Sequence, residues 1–136
     1  MQESDQVIED WHRQVFGFAT IVTLEVPWQT PPKHRHRTNE GRAYNPDADA
    51  EQATGTALMT QWKRPPMEGP FALTVVAYRK TKQKVDIDNL CKHVMDAGNG
   101  VLWKDDSQCA ALLGFKLIDP TNPRTVIAVS SYPEET

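Results

Sequence analysis

The chain has 136 residues, 39% of them hydrophobic, which is enough for one core and too little for two domains. Acids outnumber bases, 18 to 15, for a net charge of −3, which excludes a surface coated uniformly with basic residues, so any contact with nucleic acid has to come from a local patch. Both cysteines lie in apolar-patterned segments and there is no secretory signal or long apolar span, which points to a reducing cytoplasm, free thiols and no membrane anchor.

Residues 1–17 mix acids with Val7, Ile8, Trp11, Val15 and Phe16, a weakly amphipathic pattern. It predicts a short helical extension, docked on the body or on a partner chain, ahead of a single domain over residues 18–136. From Phe18 to Val26, the residues Phe18, Thr20, Val22, Leu24 and Val26 alternate with Ala19, Ile21, Thr23 and Glu25, predicting a strand with one face more deeply buried, which Pro27 ends. Trp28 to Arg42 reads as a proline-stiffened loop carrying Lys33, Arg35, Arg37 and Arg42 with His34 and His36 interleaved. This is the local basic patch, and in a chain with a carboxylate cluster its charges are assigned to DNA phosphates.

Asn45-Pro46-Asp47-Ala48-Asp49 supplies an N-cap, a proline at the first helical position and acids in the first turn, predicting a helix to about Lys63. Pro65-Pro66 and Gly69-Pro70 break the chain before Phe71 to Lys80, whose Leu73, Val75 and Val76 mark a buried strand. That strand delivers Asp86-Ile87-Asp88. On an extended backbone this spacing turns both carboxylates to one side and Ile87 to the interior.

From Asn89 the pattern turns helical: Leu90, Cys91, Val94, Met95 and Gly98 form a buried stripe, with Asp88 or Asn89 as N-cap. Asp88, Lys92 and Asp96 share one face, each four residues from the next. Gly98-Asn99-Gly100 ends the helix, and Val101-Leu102-Trp103 anchors a return to Asp105-Asp106. Cys109 to Ile118 is nearly continuous in apolar residues, and Asp119-Pro120-Thr121-Asn122-Pro123 turns the chain into Arg124 to Tyr132, which reads as a hairpin. The order of elements predicts an α+β domain, a single mixed sheet of about four strands with two helices packed on it.

An acidic pair, a helix bearing Lys92 and a second acidic pair after a return can surround one point with carboxylates and an ammonium. Aspartates without Cys or His ligands suit Mg²⁺ or Mn²⁺ rather than zinc; Cys91, His93 and Cys109 have no recognised zinc-ligand spacing. Such equipment fits phosphodiester cleavage.

The run Val85-Asp86-Ile87-Asp88-Asn89-Leu90-Cys91-Lys92, followed by Met95-Asp96-Ala97 and by Asn99-Gly100-Val101-Leu102-Trp103-Lys104-Asp105-Asp106-Ser107-Gln108, resembles the signature of the RusA family of Holliday junction resolvases. The resemblance implies a RusA-like fold and a Mg²⁺-dependent, structure-specific endodeoxyribonuclease. Such an enzyme resolves four-way junction DNA by paired symmetric nicks in recombination and repair, acting as a homodimer. It also implies that Asp86, Asp88 and Asp106 are the magnesium-binding catalytic residues and that Lys92 is required for cleavage. Weaker similarity runs from about Ile21 to Val129. Gly98 departs from the pattern, where a larger apolar residue is usual, which implies a looser or shorter helix end.

Two other classes share parts of this equipment. A non-catalytic branched-DNA-binding module would keep the basic loop without needing the acids. An Asp-x-Asp metal-dependent glycosyltransferase would need the acids but a larger domain, and no basic loop.

Overall fold

The computed structural model describes residues 3–17, 20–31, 37–39 and 42–133. In them the apolar run from Phe71 becomes the middle of a sheet. The helices are α1 (Glu3–Phe16), α2 (Ala48–Trp62) and α3 (Ile87–Ala97). The strands are β1 (Val22–Val26), β2 (Arg37–Asn39), β3 (Arg42–Tyr44), β4 (Phe71–Arg79), β5 (Cys109–Ile118) and β6 (Arg124–Ser131). Four strands form one mixed sheet in the order β1-β6-β4-β5, and β2 and β3 pair separately, so the architecture is α+β as the sequence predicts.

β4 is buried on both faces, and its side chains divide by parity. Phe71, Leu73 and Val75 enter the core under α2 and α3, with Leu58, Trp62, Val94 and Trp103. On the other face Val76 packs with Ile8 of α1, with Trp11 and Phe115 around them. The two helices expected on the sheet are α2 and α3, and α1 covers the opposite face.

β4, α3 and β5 make a parallel strand–helix–strand unit, while β6 pairs antiparallel with β4 and with β1. The hairpin expected from β5 into β6 is therefore not formed, because β4 lies between those strands. A strand apolar on both faces gains most from a central position, and the Asp119–Pro123 turn carries the chain across its end. Asp119 N donates to Arg79 O at 2.8 Å. Buried Arg124 holds the crossing through ion pairs with Asp119 (2.9 Å) and Glu25 (3.4 Å), its guanidinium 3.8 Å from the Tyr78 ring centre. Asp119 is held below the ordinary carboxylate range, chiefly by its hydrogen bond from Arg124.

Two helix starts also differ from the reading by pattern. α2 begins at Ala48 rather than Pro46, because the Asn45 side chain folds into a turn, accepting from Asp47 N at 2.9 Å and donating to the Glu51 carboxylate at 3.2 Å. α3 begins at Ile87, ahead of both residues expected to cap it. Its C-terminal end is firm rather than loose: a Cβ on Gly98 would lie 2.5 Å from Cζ2 of Trp103, so the indole fills the space a side chain would take.

α1 is fastened by a polar contact as well as by burial. His12, with no solvent exposure, lies 2.8 Å from Thr74 Oγ1 through Nδ1 and 2.7 Å from Ser130 Oγ through Nε2. Burial, helped by the charge of Arg13, lowers its pKa from the ordinary 6.5 to about 4.

Two predictions follow from this packing. The folded state keeps His12 neutral while the unfolded chain protonates near pH 6.5, so stability is complete above that pH and declines as pH falls toward 4. The His12 share of the loss reaches on the order of 3 kcal/mol. Urea unfolding across that range should show the decline, and His12→Gln should flatten it; an unchanged slope would assign the decline to other groups. Gly98→Ala should cost about 1–3 kcal/mol, since the indole must shift in a packed core. An unfolding midpoint equal to the parent's would show that the ring yields freely.

Candidate active site

The acidic motif sits where β4 hands over to α3. Asp86 occupies the N-cap position with φ −71° and ψ 133°, yet its carboxylate makes no capping bond. Asp88 lies in the first helical turn, where Oδ1 accepts from Asn89 N at 3.0 Å. Asp86, Ile87 and Asp88 therefore do not alternate along a strand as the spacing predicts. Asp86 ends the extended segment and Asp88 opens the helix, where the dipole favours negative charge. Ile87 is 37% exposed rather than interior. Its Cδ1 reaches Gly114 of β5, where an added Cβ would stand 3.4 Å from it and 2.9 Å from Cys91 Sγ, so the first turns of α3 ride directly on the β5 backbone.

The return from α3 is tightly made. Leu102 N and Val101 N donate to Gly98 O at 2.9 and 3.0 Å, and Gly100, at φ +77°, supplies the left-handed residue that closes the turn. Trp103 is fully buried, stacked on Phe71 with ring centres 4.3 Å apart, and its indole N–H lies 3.2 Å from both Met95 O and Asn99 Oδ1. Beyond it Asp105 caps a single 3-10 turn, Asp106–Gln108, accepting from Ser107 N at 3.0 Å while Gln108 Oε1 accepts from Asp105 N at 2.8 Å. The bonds to Ser107 hold the Asp105 carboxyl below the ordinary range. The two acids thus differ: Asp105 is spent on the turn, and Asp106 faces α3.

There Lys92 Nζ donates to Asp106 Oδ2 at 3.1 Å and lies 3.3 Å from Asp96 Oδ1. Burial alone would lower the Lys92 pKa, but the bond to Asp106 and the charge of Asp96 outweigh it, and the net shift is upward. An ammonium shifted upward stays charged through neutral pH, so Lys92 is equipped to meet negative charge and not to accept a proton.

Asp86 and Asp88 project from an exposed helix start, and with Asp106 they offer oxygen donors of the kind Mg²⁺ and Mn²⁺ take. The donor chemistry fits such an ion. As the side chains stand, no three Asp, Glu, His or Cys groups among the described residues gather closely enough to hold one, and the cation that Asp106 meets is Lys92. The thiols are poor ligands. Burial, then the charges of Asp88 and Cys109, push Cys91 up to about 11, and burial raises Cys109 as well. His93 turns away to α2, its Nε2 2.9 Å from Thr54 Oγ1.

Of the expected phosphate-binding loop, Lys33 and Arg35 lie outside the described residues. Arg37 and Arg42 are placed by backbone only, Arg37 opposite Tyr44 and Arg42 opposite Asn39 in the β2–β3 pair. The segment entering that loop is fixed: buried Arg79 donates to Thr30 O, Thr125 Oγ1 donates to Trp28 O at 3.2 Å, and Lys80 N donates to Gln29 Oε1 at 2.7 Å. Lys80, Lys82 and Lys84, given no role in the reading from sequence, lie exposed between β4 and Asp86. Their signal was three alternate cations directly ahead of the acidic motif.

Among the described residues no helix is long and apolar enough to cross a membrane. No curated protein matches the chain. A family model described as endodeoxyribonuclease RusA matches residues 27–130, a span that contains β4, α3, the return turn and every acid and lysine of the cluster just described. By that match over most of its length, the chain belongs to the RusA endodeoxyribonuclease family.

Proposed function

We propose that the protein is a Mg²⁺-dependent endodeoxyribonuclease that resolves Holliday junctions by paired symmetric nicks in DNA recombination and repair. The observation that supports this best is the contact of Lys92 with Asp106 across the return turn, beside an Asp86 that stands at an N-cap without capping. Asp86, Asp88 and Asp106 are the residues to hold the cation, with Mn²⁺ as a substitute. Such an ion, when bound, lowers the pKa of a water and offsets charge at the scissile phosphate. Lys92, charged and half-exposed, donates to a phosphate oxygen as negative charge grows there. Asp96 keeps that ammonium in place from the next turn of α3. Asp105 acts only through the turn that it caps. A single site cuts one strand, so symmetric nicking calls for a two-fold homodimer.

The reading is tested with a synthetic four-way junction and Mg²⁺, beside a linear duplex of the same sequence. Symmetric nicks in the junction alone are expected, whereas binding without nicking would indicate a non-catalytic junction-binding module.

Asp86→Asn, Asp88→Asn and Asp106→Asn should each abolish nicking while junction binding survives, and Asp105→Asn should keep measurable activity. Near-normal nicking by any of the first three removes that residue from the site. Lys92→Ala should slow single-turnover nicking by about a hundredfold or more at saturating protein, with junction affinity and melting temperature little changed. Lys92→Arg should not restore the rate fully, because a planar guanidinium does not place a compact charge at the same point. A rate for Lys92→Ala within a few-fold of the parent would reduce the residue to a surface ion pair.

A further inference from the structure

We propose that Lys92 competes with the divalent cation for Asp106, and that Asp96 is the carboxylate that keeps its ammonium once the cation has taken Asp106. The proposal rests on the nuclease reading for the cation and adds to it a device that regulates how the site is loaded. The three carboxylates assigned to the cation are not equivalent. Asp86 and Asp88 form no ion pair with a described residue. Asp106 already has a counter-ion, because Lys92 Nζ stands 3.1 Å from its Oδ2. An ammonium and a divalent cation seek the same oxygen, and on one carboxylate they repel each other.

The same ammonium has a second carboxylate within reach. Asp96 lies one turn beyond Lys92 on α3, with Oδ1 3.3 Å from Nζ. Asp96 belongs to the helix that carries Lys92, whereas Asp106 arrives from the return turn, so the two contacts can be made and broken separately. The Lys92 side chain is 51% exposed, against 20% for Asp106 and 17% for Asp96. With its flexible four-carbon stem, the lysine is therefore the partner that moves. Release from Asp106 frees one of its three donors, the one that the nuclease reading directs to a phosphate oxygen. Held between two carboxylates, the ammonium has little net attraction for an anion; held by Asp96 alone, it has more. Loading the site and arming the lysine thus become one event.

The test is a Mn²⁺ titration without DNA, followed by the EPR signal of the free ion, on the parent, Lys92→Met, Asp96→Asn and the double variant. Removing the competitor should tighten Mn²⁺ binding on the order of tenfold, whereas the charge control Lys63→Met, at the end of α2, should change it by less than about twofold. Lys92→Met should therefore bind the cation more tightly while it nicks more slowly, a pairing that loss of a ligand or of packing does not produce. Asp96→Asn should weaken binding several-fold in the parent, where Lys92 is left with Asp106 alone, and should change it little in Lys92→Met. A carboxylate acting by its charge alone would lower affinity equally in both backgrounds. Melting without cation checks that each variant folds, and Lys92→Gln replaces Lys92→Met if that variant does not. Equal affinity in the parent and Lys92→Met, or an equal loss from Asp96→Asn in both backgrounds, overturns the proposal. The nuclease reading is scored separately by nicking of the synthetic junction with Mg²⁺. A parent that binds Mn²⁺ with these dependences but never nicks defeats that reading and leaves the competition standing, and a parent that binds no Mn²⁺ defeats both.

Discussion

The packing of the Trp103 indole against Gly98 is the constraint on which the site depends. Because residue 98 has no side chain, the ring slides beneath the end of α3, stacks on Phe71 at the head of β4 and donates back to Met95 O. One residue thereby ties helix, sheet and return turn together. The Asp105 cap then begins two residues on, and Asp106 arrives opposite Lys92 although fourteen positions separate them. A larger residue at 98 would require a different seat for the ring. The space left by Gly98 is thus filled by a neighbour within the same turn.

Electrostatics shares out the work among groups that look alike in sequence. Two adjacent aspartates end in different roles because one faces its own backbone amides and the other faces α3. Lys92 sits between two carboxylates, which strengthens its hold on its proton and fixes it as a charge donor. Two thiols stand near the same acids, yet burial keeps both protonated, so the chemistry there is left to oxygen and nitrogen.

Much of the arrangement was legible from pattern. The Asp-x-Asp spacing, the buried stripe of α3, the glycine turn and the apolar run of β4 all give local signals. Three kinds of information were not local. Periodicity tells which face of a strand is buried but not which strand lies beside it, so β5 and β6 read as a hairpin while β4 took the place between them. A dipeptide repeat cannot tell the end of an extended segment from the first turn of a helix, and Asp86-Ile87-Asp88 straddles that boundary. The bond from Lys116 of β5 to Val85 O joins two segments thirty-one positions apart, and no spacing in the sequence announces it.

The two faces of the sheet separate stability from chemistry. α1 lies outside the matched span, yet it buries Ile8 against Val76 and fixes His12 to Thr74 and Ser130, so it seals the face of β4 that would otherwise be open to water. The candidate catalytic side chains all belong to the other face or its edge. A change in α1 therefore reaches them only through β4 and β5, whose parallel pairing holds the start of α3 over Gly114. Phe71, Leu73 and Val75 pack under α2 and α3 while Thr74 and Val76 face α1, so alternate residues of one strand support the two faces. That alternation lets the α1 face vary in sequence without moving Asp86, Asp88 or Lys92, provided β4 remains buried on both sides.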